Sequence, residues 1–463
     1  MDVGGRRGLA VTAPVTAGPA APLDAVTGAF LDACRDGENV LRHAVDEASY
    51  PPAFRESWGP RMLARPLFAA ESQVRSFAGD LDTVIGLLES LPDRLFDGDL
   101  GRYCDHVGIT PAHAAVMRRF ATGPLTRYGR ADAYHDGTGF KLLEINMASN
   151  LGGTDRSQMQ RALLDVPAFR DFGELHRLGH VDTGERIFAA LKAALPARLK
   201  GGEEPRCAVV CGRGGVETYG HLLRGFAEMA ARFGPAFRLG ELDGITERGE
   251  EVLLDGKPVD IVLRFFNVDE VCQDAGTAAR ADILFRAHEE ERLLLWSPIN
   301  GSLYSSKAAL ALLSDPDLRH TLSAPEAAAV DRVLPRTYVL DRENAAYCRA
   351  HREELILKPL RAFGGRGILA GWTLDDQRWA AALEGGLDGQ YVVQHRVRPR
   401  AEPVVDPRDG GESDWHAVWG VFFTPDGYAG MDVRAAPAAH SAVINYGANP
   451  WVRTACVFTS PSG

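Results

Sequence analysis

The 463-residue sequence predicts a mixed α/β (α+β) fold with a helical N-terminal region, on three observations. From Leu23 to about Gly123, apolar residues recur at three- and four-residue spacing, as in Ala25 to Leu41 and Val74 to Leu91, which is the period of amphipathic helices. Between Glu203 and Asn300, short apolar runs alternate with helical patterns, the order of an α/β unit. From Ser302 onward, strand-like runs are punctuated by glycine turns.

The elements follow in order. Residues 1–22, rich in Ala, Gly, Pro and Val, read as a disordered tail, because their prolines and glycines spoil any apolar signal core despite Arg6-Arg7. Residues 23–123 form the helical region, interrupted by loops at Pro51-Pro52 and Trp58-Gly59-Pro60. Residues 124–200 hold a hairpin whose turn is His135 to Gly139, then a helix from about Ser157 to Leu164 that Ser149 or Thr154 is placed to cap. In 201–300, Arg206 to Cys211 reads as a strand, Val216 to Phe233 as a helix and Ile261 to Phe266 as a buried strand. The Gly212-Arg213-Gly214-Gly215 junction reads as a structural tight turn, since it lacks dinucleotide-binding spacing. Residues 301–463 alternate helices (Ala308 to Leu313, Asn344 to Arg352, Asp375 to Leu383) with strands (Arg336 to Leu340, Leu355 to Pro359, Ile368 to Ala370, Tyr391 to Gln394, Trp415 to Thr424, Tyr428 to Val433).

Composition narrows the partners. A net charge of -11 argues against a general nucleic-acid or anionic-membrane surface, and no run of eighteen apolar residues exists to span a bilayer. Small molecules are the expected partners. Seven cysteines scattered through a large chain fit a reduced cytoplasm, and Cys207 and Cys211, in an apolar strand, read as buried structural residues.

Two constellations carry chemistry. In Arg130-Ala131-Asp132 and Glu144-Ile145-Asn146, strand alternation points Glu144 and Asn146 together, and an antiparallel neighbour brings Asp132 to them. Such oxygens suit magnesium, with Arg130 beside them for a phosphate; solvated cross-strand polar residues are the plain alternative. Far downstream, Lys358-Pro359 ends a strand, and Phe363-Gly364-Gly365-Arg366-Gly367 leads into the next. Glycines there let backbone N–H groups approach phosphate, with Lys358 as a point charge, although a plain hairpin has the same pattern. Gln394 closes an apolar strand that could flank a purine or simply fill the core. Asn150, Gly152, Gly153, Thr154 and Asp155 border a substrate pocket or form a capping loop. Arg264, in an apolar strand, implies either an anion or an ion pair with Asp260 or Asp269.

Together these motifs, from Arg127 to Val457, resemble the ATP-grasp superfamily. The order, with Arg130-x-Asp132 and Glu144-x-Asn146 before Ser306-Lys307-Ala308 and the glycine flap, is similar to the circularly permuted group typified by the synthetase domain of glutathionylspermidine synthase. The resemblance implies that 201–300 is a pre-ATP-grasp-like subdomain and that 301–463 carries the nucleotide-binding lid. It implies Asp132, Glu144 and Asn146 as ligands of two magnesium ions; Lys307, Lys358, Gly364, Gly365, Gly367 and Gln394 as the ATP site; and Arg130 and Arg366 as catalytic charges. Ser441 to Gly447 resembles the loop that approaches the acceptor in that fold. The implied activity is an ADP-forming carboxylate–amine ligase that makes an amide through an acyl phosphate on an amino-acid-like substrate of specialised metabolism. The acceptor is free or tethered to a carrier protein, and the enzyme works alone or as a homodimer. A phosphotransferase and a non-catalytic nucleotide-binding subunit are the alternatives. No spermidine- or glutathione-recognition signature is evident, so acid and amine stay open.

Overall fold

The Asp136-Gly137 turn closes the expected hairpin. Asp136 Oδ1 accepts from the backbone N–H of Thr138 (2.8 Å) and Gly139 (3.0 Å), and Gly137 takes a left-handed φ of 95°. This computed structural model describes residues 23–36, 40–121, 125–200, 204–234, 236–360, 364–447 and 449–461; the expected disordered tail lies outside them.

The hairpin belongs to a seven-stranded sheet of β1 (Leu67–Ala70), β2 (Gly129–His135), β3 (Phe140–Asn146), β4 (Glu402–Val405), β5 (Glu412–Thr424), β6 (Gly427–Pro437) and β7 (Arg453–Ser460). Its order is β1-β7-β6-β5-β2-β3, with β4 on the first residues of β5, and every pairing is antiparallel except β1 with β7. Neighbours distant in sequence are thereby joined, and Trp419 of β5 packs edge-on against Phe140 of β3.

The N-terminal region is not purely helical. Leu67–Ala70 is a strand, because four apolar residues after Pro66 are too few to carry a period and pairing with Val457–Ser460 decides their conformation. The first helix spans Ala25–Arg35 and stops at Asp36 instead of reaching Leu41, which sits in a separate 3-10 turn, Val40–His43.

The α/β unit forms a parallel sheet ordered Leu294–Trp296, Ile261–Phe265, Cys207–Cys211, Phe237–Glu241. Burial pushes both the Cys207 and Cys211 thiols up to about 12, consistent with inert packing residues, and all seven cysteines are free thiols. At the glycine junction, the Glu241 carboxylate accepts from the N–H groups of Gly214 (3.0 Å) and Val216 (2.9 Å). The protein thus supplies its own anion at that helix N-terminus, the place a phosphate would take.

A second antiparallel sheet runs Thr337–Val339, Tyr391–His395, Leu355–Pro359, Leu369–Ala370. No helix among the described residues is long and apolar enough to cross a membrane.

Candidate functional site

In β2 and β3 the register pairs Asp132 with Glu144 and Arg130 with Asn146, so alternation puts all four side chains on one face. The register then shifts by one residue, leaving Leu143 as a bulge next to Glu144. The Leu143 carbonyl, turned out of the ladder, accepts from Lys358 Nζ at 3.1 Å. The bulge therefore ties the central sheet to the second antiparallel sheet. Lys358 Nζ also donates to Gln394 Oε1 (2.7 Å), and Gln394 Nε2 donates to Thr337 Oγ1 (3.0 Å).

Ser306 Oγ accepts from Ala308 N–H (3.2 Å), which starts a helix with Lys307 at its first position; Lys307 Nζ lies 3.3 Å from Glu144 Oε2. Hairpin, lysines and flap share one cavity of about 100 Å³, lined by Asp132, Glu144, Lys307, Lys358, Gly364, Gly365 and Gln394. Gly364, Gly365 and Gly367 have φ of 70°, 76° and 72°, a conformation that favours glycine. Three predicted residues stand apart. Asn146 is on the ligand face but not in the cavity wall, Gly367 packs near Pro359, and Arg366 is exposed on the flap. Phe363, also read as part of the flap, lies outside the described residues.

Electrostatics separates the charged groups. Burial would raise the Asp132 carboxyl, but Arg130 and Arg434 outweigh it and hold it well below the usual carboxylate range. Burial, helped by the charge of Lys307, brings Lys358 down to about 8 in spite of Glu144. Arg130 grips Asp132 through Nε (2.8 Å) and donates to the Gly152 carbonyl (2.6 Å). Arg434 Nη2 is 2.6 Å from Asp132 Oδ1, yet its N–H makes no aligned hydrogen bond, so the contact is an ion pair without that directionality.

Arg434 and Asp432 were not among the residues singled out from sequence. Asp432-Val433-Arg434 is a charged pair alternating through an apolar strand, the same signal as Arg130-Ala131-Asp132. Their meeting depends on Gly420 in β5, between β2 and β6: a Cβ there would lie 1.9 Å from Asp432 Oδ1 and 2.7 Å from Arg130 Cδ. Burial raises the Asp432 carboxyl despite the surrounding arginines. Trp372 also lines the cavity, with Arg396 stacked 4.0 Å over its ring.

A second cavity of about 200 Å³ adjoins the first; Arg434 and Asn445 line both, and Arg130 and Asp432 line the second. Gly152, Gly153, Thr154 and Asp155 are in its wall, whereas Asn150 is not. Ser149 does not cap the following helix: its hydroxyl donates to the Arg264 carbonyl at 2.6 Å, and Thr154–Arg156 enters the helix as a 3-10 turn. The loop Ser441 to Gly447 borders both cavities through Asn445. Arg264 pairs with neither Asp260 nor Asp269; Nε donates to the Ser297 carbonyl (2.8 Å) and Nη1 to the Phe266 carbonyl, and Nη2 has no hydrogen-bond partner among the described residues.

The residues present fit a hard cation only in part. No three His, Cys, Asp or Glu side chains converge among the described residues, so Asp132, Glu144 and Asn146 would rely on phosphate and water oxygens to complete a coordination sphere. Asp132 Oδ2 receives only a 3.4 Å contact from Arg130, which leaves it suited to a metal.

No family model matches the chain, and no curated protein does. Among solved structures, the chain is similar to a glutathione synthetase-like effector (GSS30) from Globodera pallida in its apo form, at 12% identity, covering 94% of this chain and 97% of that one, with a TM-score of 0.54. At that identity the likeness is one of fold. A provisionally assigned gamma-glutamylcysteine synthetase from Methylobacillus flagellatus KT also matches, at 13% identity over 81% of this chain and 85% of that one, with a TM-score of 0.39.

Proposed function

We propose that the protein is an ATP-grasp enzyme, an ADP-forming carboxylate–amine ligase that builds an amide on a small amino-acid-like substrate. The observation that carries this reading is the single cavity lined by Asp132, Glu144, Lys307, Lys358, Gly364 and Gly365, drawn from segments that span more than two hundred residues of sequence. The full-length likeness to a glutathione synthetase-like fold supports it.

In this reading Asp132, Glu144 and Asn146 hold two magnesium ions, and Lys307 and Lys358 hold the phosphates of ATP. Bound ATP supplies a phosphoryl group to the substrate carboxylate: a carboxylate oxygen bonds to the terminal phosphorus as ADP leaves, an amine nitrogen then bonds to the acyl carbon, and phosphate departs as the nitrogen loses a proton. Arg130 and Arg434, beside Asp132 where the cavities meet, steady the negative charge that grows on the transferred group. Gly364 and Gly365 let the flap close and exclude water. Exposed Arg366 joins the site only in a closed state.

Purified protein with magnesium and ATP is expected to release ADP when amino acids and amines are pooled, and to yield a product whose mass is acid plus amine minus water. A phosphorylated acid as the sole product would favour a phosphotransferase. Absence of ADP release with every pool, or full turnover by Glu144→Ala, would overturn the ligase reading.

A further inference from the structure

The second cavity has a chemistry of its own. Its body is walled by Trp58, Tyr128, Leu223, Phe226, Leu263 and Phe265, which come from the N-terminal region, the residue before β2, the helix Gly215–Ala230 and the parallel strand Ile261–Phe265. Two of its charged groups are already matched to each other. Arg156 pairs with Asp155 and lies with its guanidinium carbon 3.6 Å from the centre of the Trp58 ring; the other Asp155 oxygen accepts from Trp58 Nε1 at 3.0 Å. A ligand side chain bearing a second carboxylate or an ammonium would therefore be buried there against neutralised pairs.

Two others are different. Asp432 and Arg434 also line the cavity, both more than nine-tenths buried, and among the described residues Asp432 Oδ1 and Arg434 Nε have no hydrogen-bond partner. An unmatched acceptor beside an unmatched donor complements the ammonium and carboxylate of an α-amino acid head group. That head group would sit where Arg434 and Asn445 border both cavities, its carboxylate toward the nucleotide side. The volume is adequate: an apolar cavity of about 150 Å³ takes benzene, and this one is about 200 Å³.

We infer that this cavity selects an α-amino acid with a compact hydrocarbon side chain, aromatic or branched, as the acid to be activated. The inference deepens the ligase reading and rests on it. Trp58 makes the N-terminal region part of the specificity pocket.

The test is calorimetric titration of the full-length protein with phenylalanine, leucine, glutamate and lysine, with and without magnesium and ADP. Phenylalanine or leucine is expected to bind at least about tenfold more tightly than glutamate and lysine, a gap of about 1.4 kcal/mol. Leu222→Trp, which adds bulk to the wall, is expected to weaken that binding by at least about tenfold, with a cooperative melting transition as the check that it folds. If magnesium and ADP bind but glutamate or lysine equals the apolar amino acids, or none of the four binds, the inference falls while the ligase reading stands. If ADP itself fails to bind, the ligase reading falls first. Unchanged phenylalanine affinity in a folded Leu222→Trp variant overturns the location.

Discussion

Lys358 is a buried ammonium whose titration should be readable in nucleotide affinity. Burial brings it from 10.5 down to about 8, a shift of about 2.5, so charging it in the ligand-free protein costs about 3 kcal/mol more than in water. Phosphates restore that charge, so nucleotide binding favours the protonated form. Below pH 8 the lysine is already charged and binding is insensitive to pH; above it, binding takes up one proton and each further pH unit costs about tenfold in affinity. Affinity for ADP or a non-hydrolysable ATP analogue should therefore weaken about twentyfold from pH 7.5 to 9.5, measured by calorimetry. Lys358→Met should bind nucleotide weakly and lose this dependence. Its folding should change little. The relieved charge burial, about 3 kcal/mol, opposes the loss of the bonds to Gln394 Oε1 and the Leu143 carbonyl, at about 1–3 kcal/mol each. Linkage gives a second sign: between pH 8 and 10.5 the unfolded chain holds a proton the folded chain lacks, so this group adds stability as pH rises through that window. A flat affinity profile in the wild type, or parallel profiles for wild type and Lys358→Met, would refute the reasoning.

Further expectations concern the charged face and the glycine turn. Glu144→Gln should fold, because its side chain is 31% exposed, but should reduce ATP turnover about a hundredfold or more, read by ADP release at saturating magnesium. Gly420→Ala should lower the melting temperature and turnover together, because its Cβ would meet Asp432 Oδ1 at 1.9 Å; the overpacking cost is about 1–3 kcal/mol. Glu241→Gln should leave nucleotide affinity unchanged while costing about 1 kcal/mol of stability by denaturant titration, since its carboxylate satisfies the N–H groups of Gly214 and Val216.

Local chemistry made the hairpin legible: an Asp-Gly turn, flanking alternation and an Arg-x-Asp pattern are all written within seventeen residues, Arg130 to Asn146. The Leu143 bulge was not, because a one-residue shift in pairing follows from cross-strand packing and leaves no mark in a single strand. β1 escaped for a related reason; it is a short apolar run whose conformation depends on β7, almost four hundred residues away. Reading the β6 strand only as far as Val433 stopped one residue before Arg434, which hid the mirrored Asp-x-Arg pair. The Gly212 to Gly215 turn was read as structural, and Glu241 gives the physical reason.

The wall between the two chambers includes side chains from β2 and β6 laid across a bare spot, Gly420, on the strand between them. Any drift of that sheet would deform both compartments together, so under the proposed ligase reading nucleotide turnover and substrate choice share one mechanical origin. Directed evolution toward new building blocks should therefore accumulate changes in the surrounding helices Pro52–Trp58 and Gly215–Ala230, and leave the three central strands untouched.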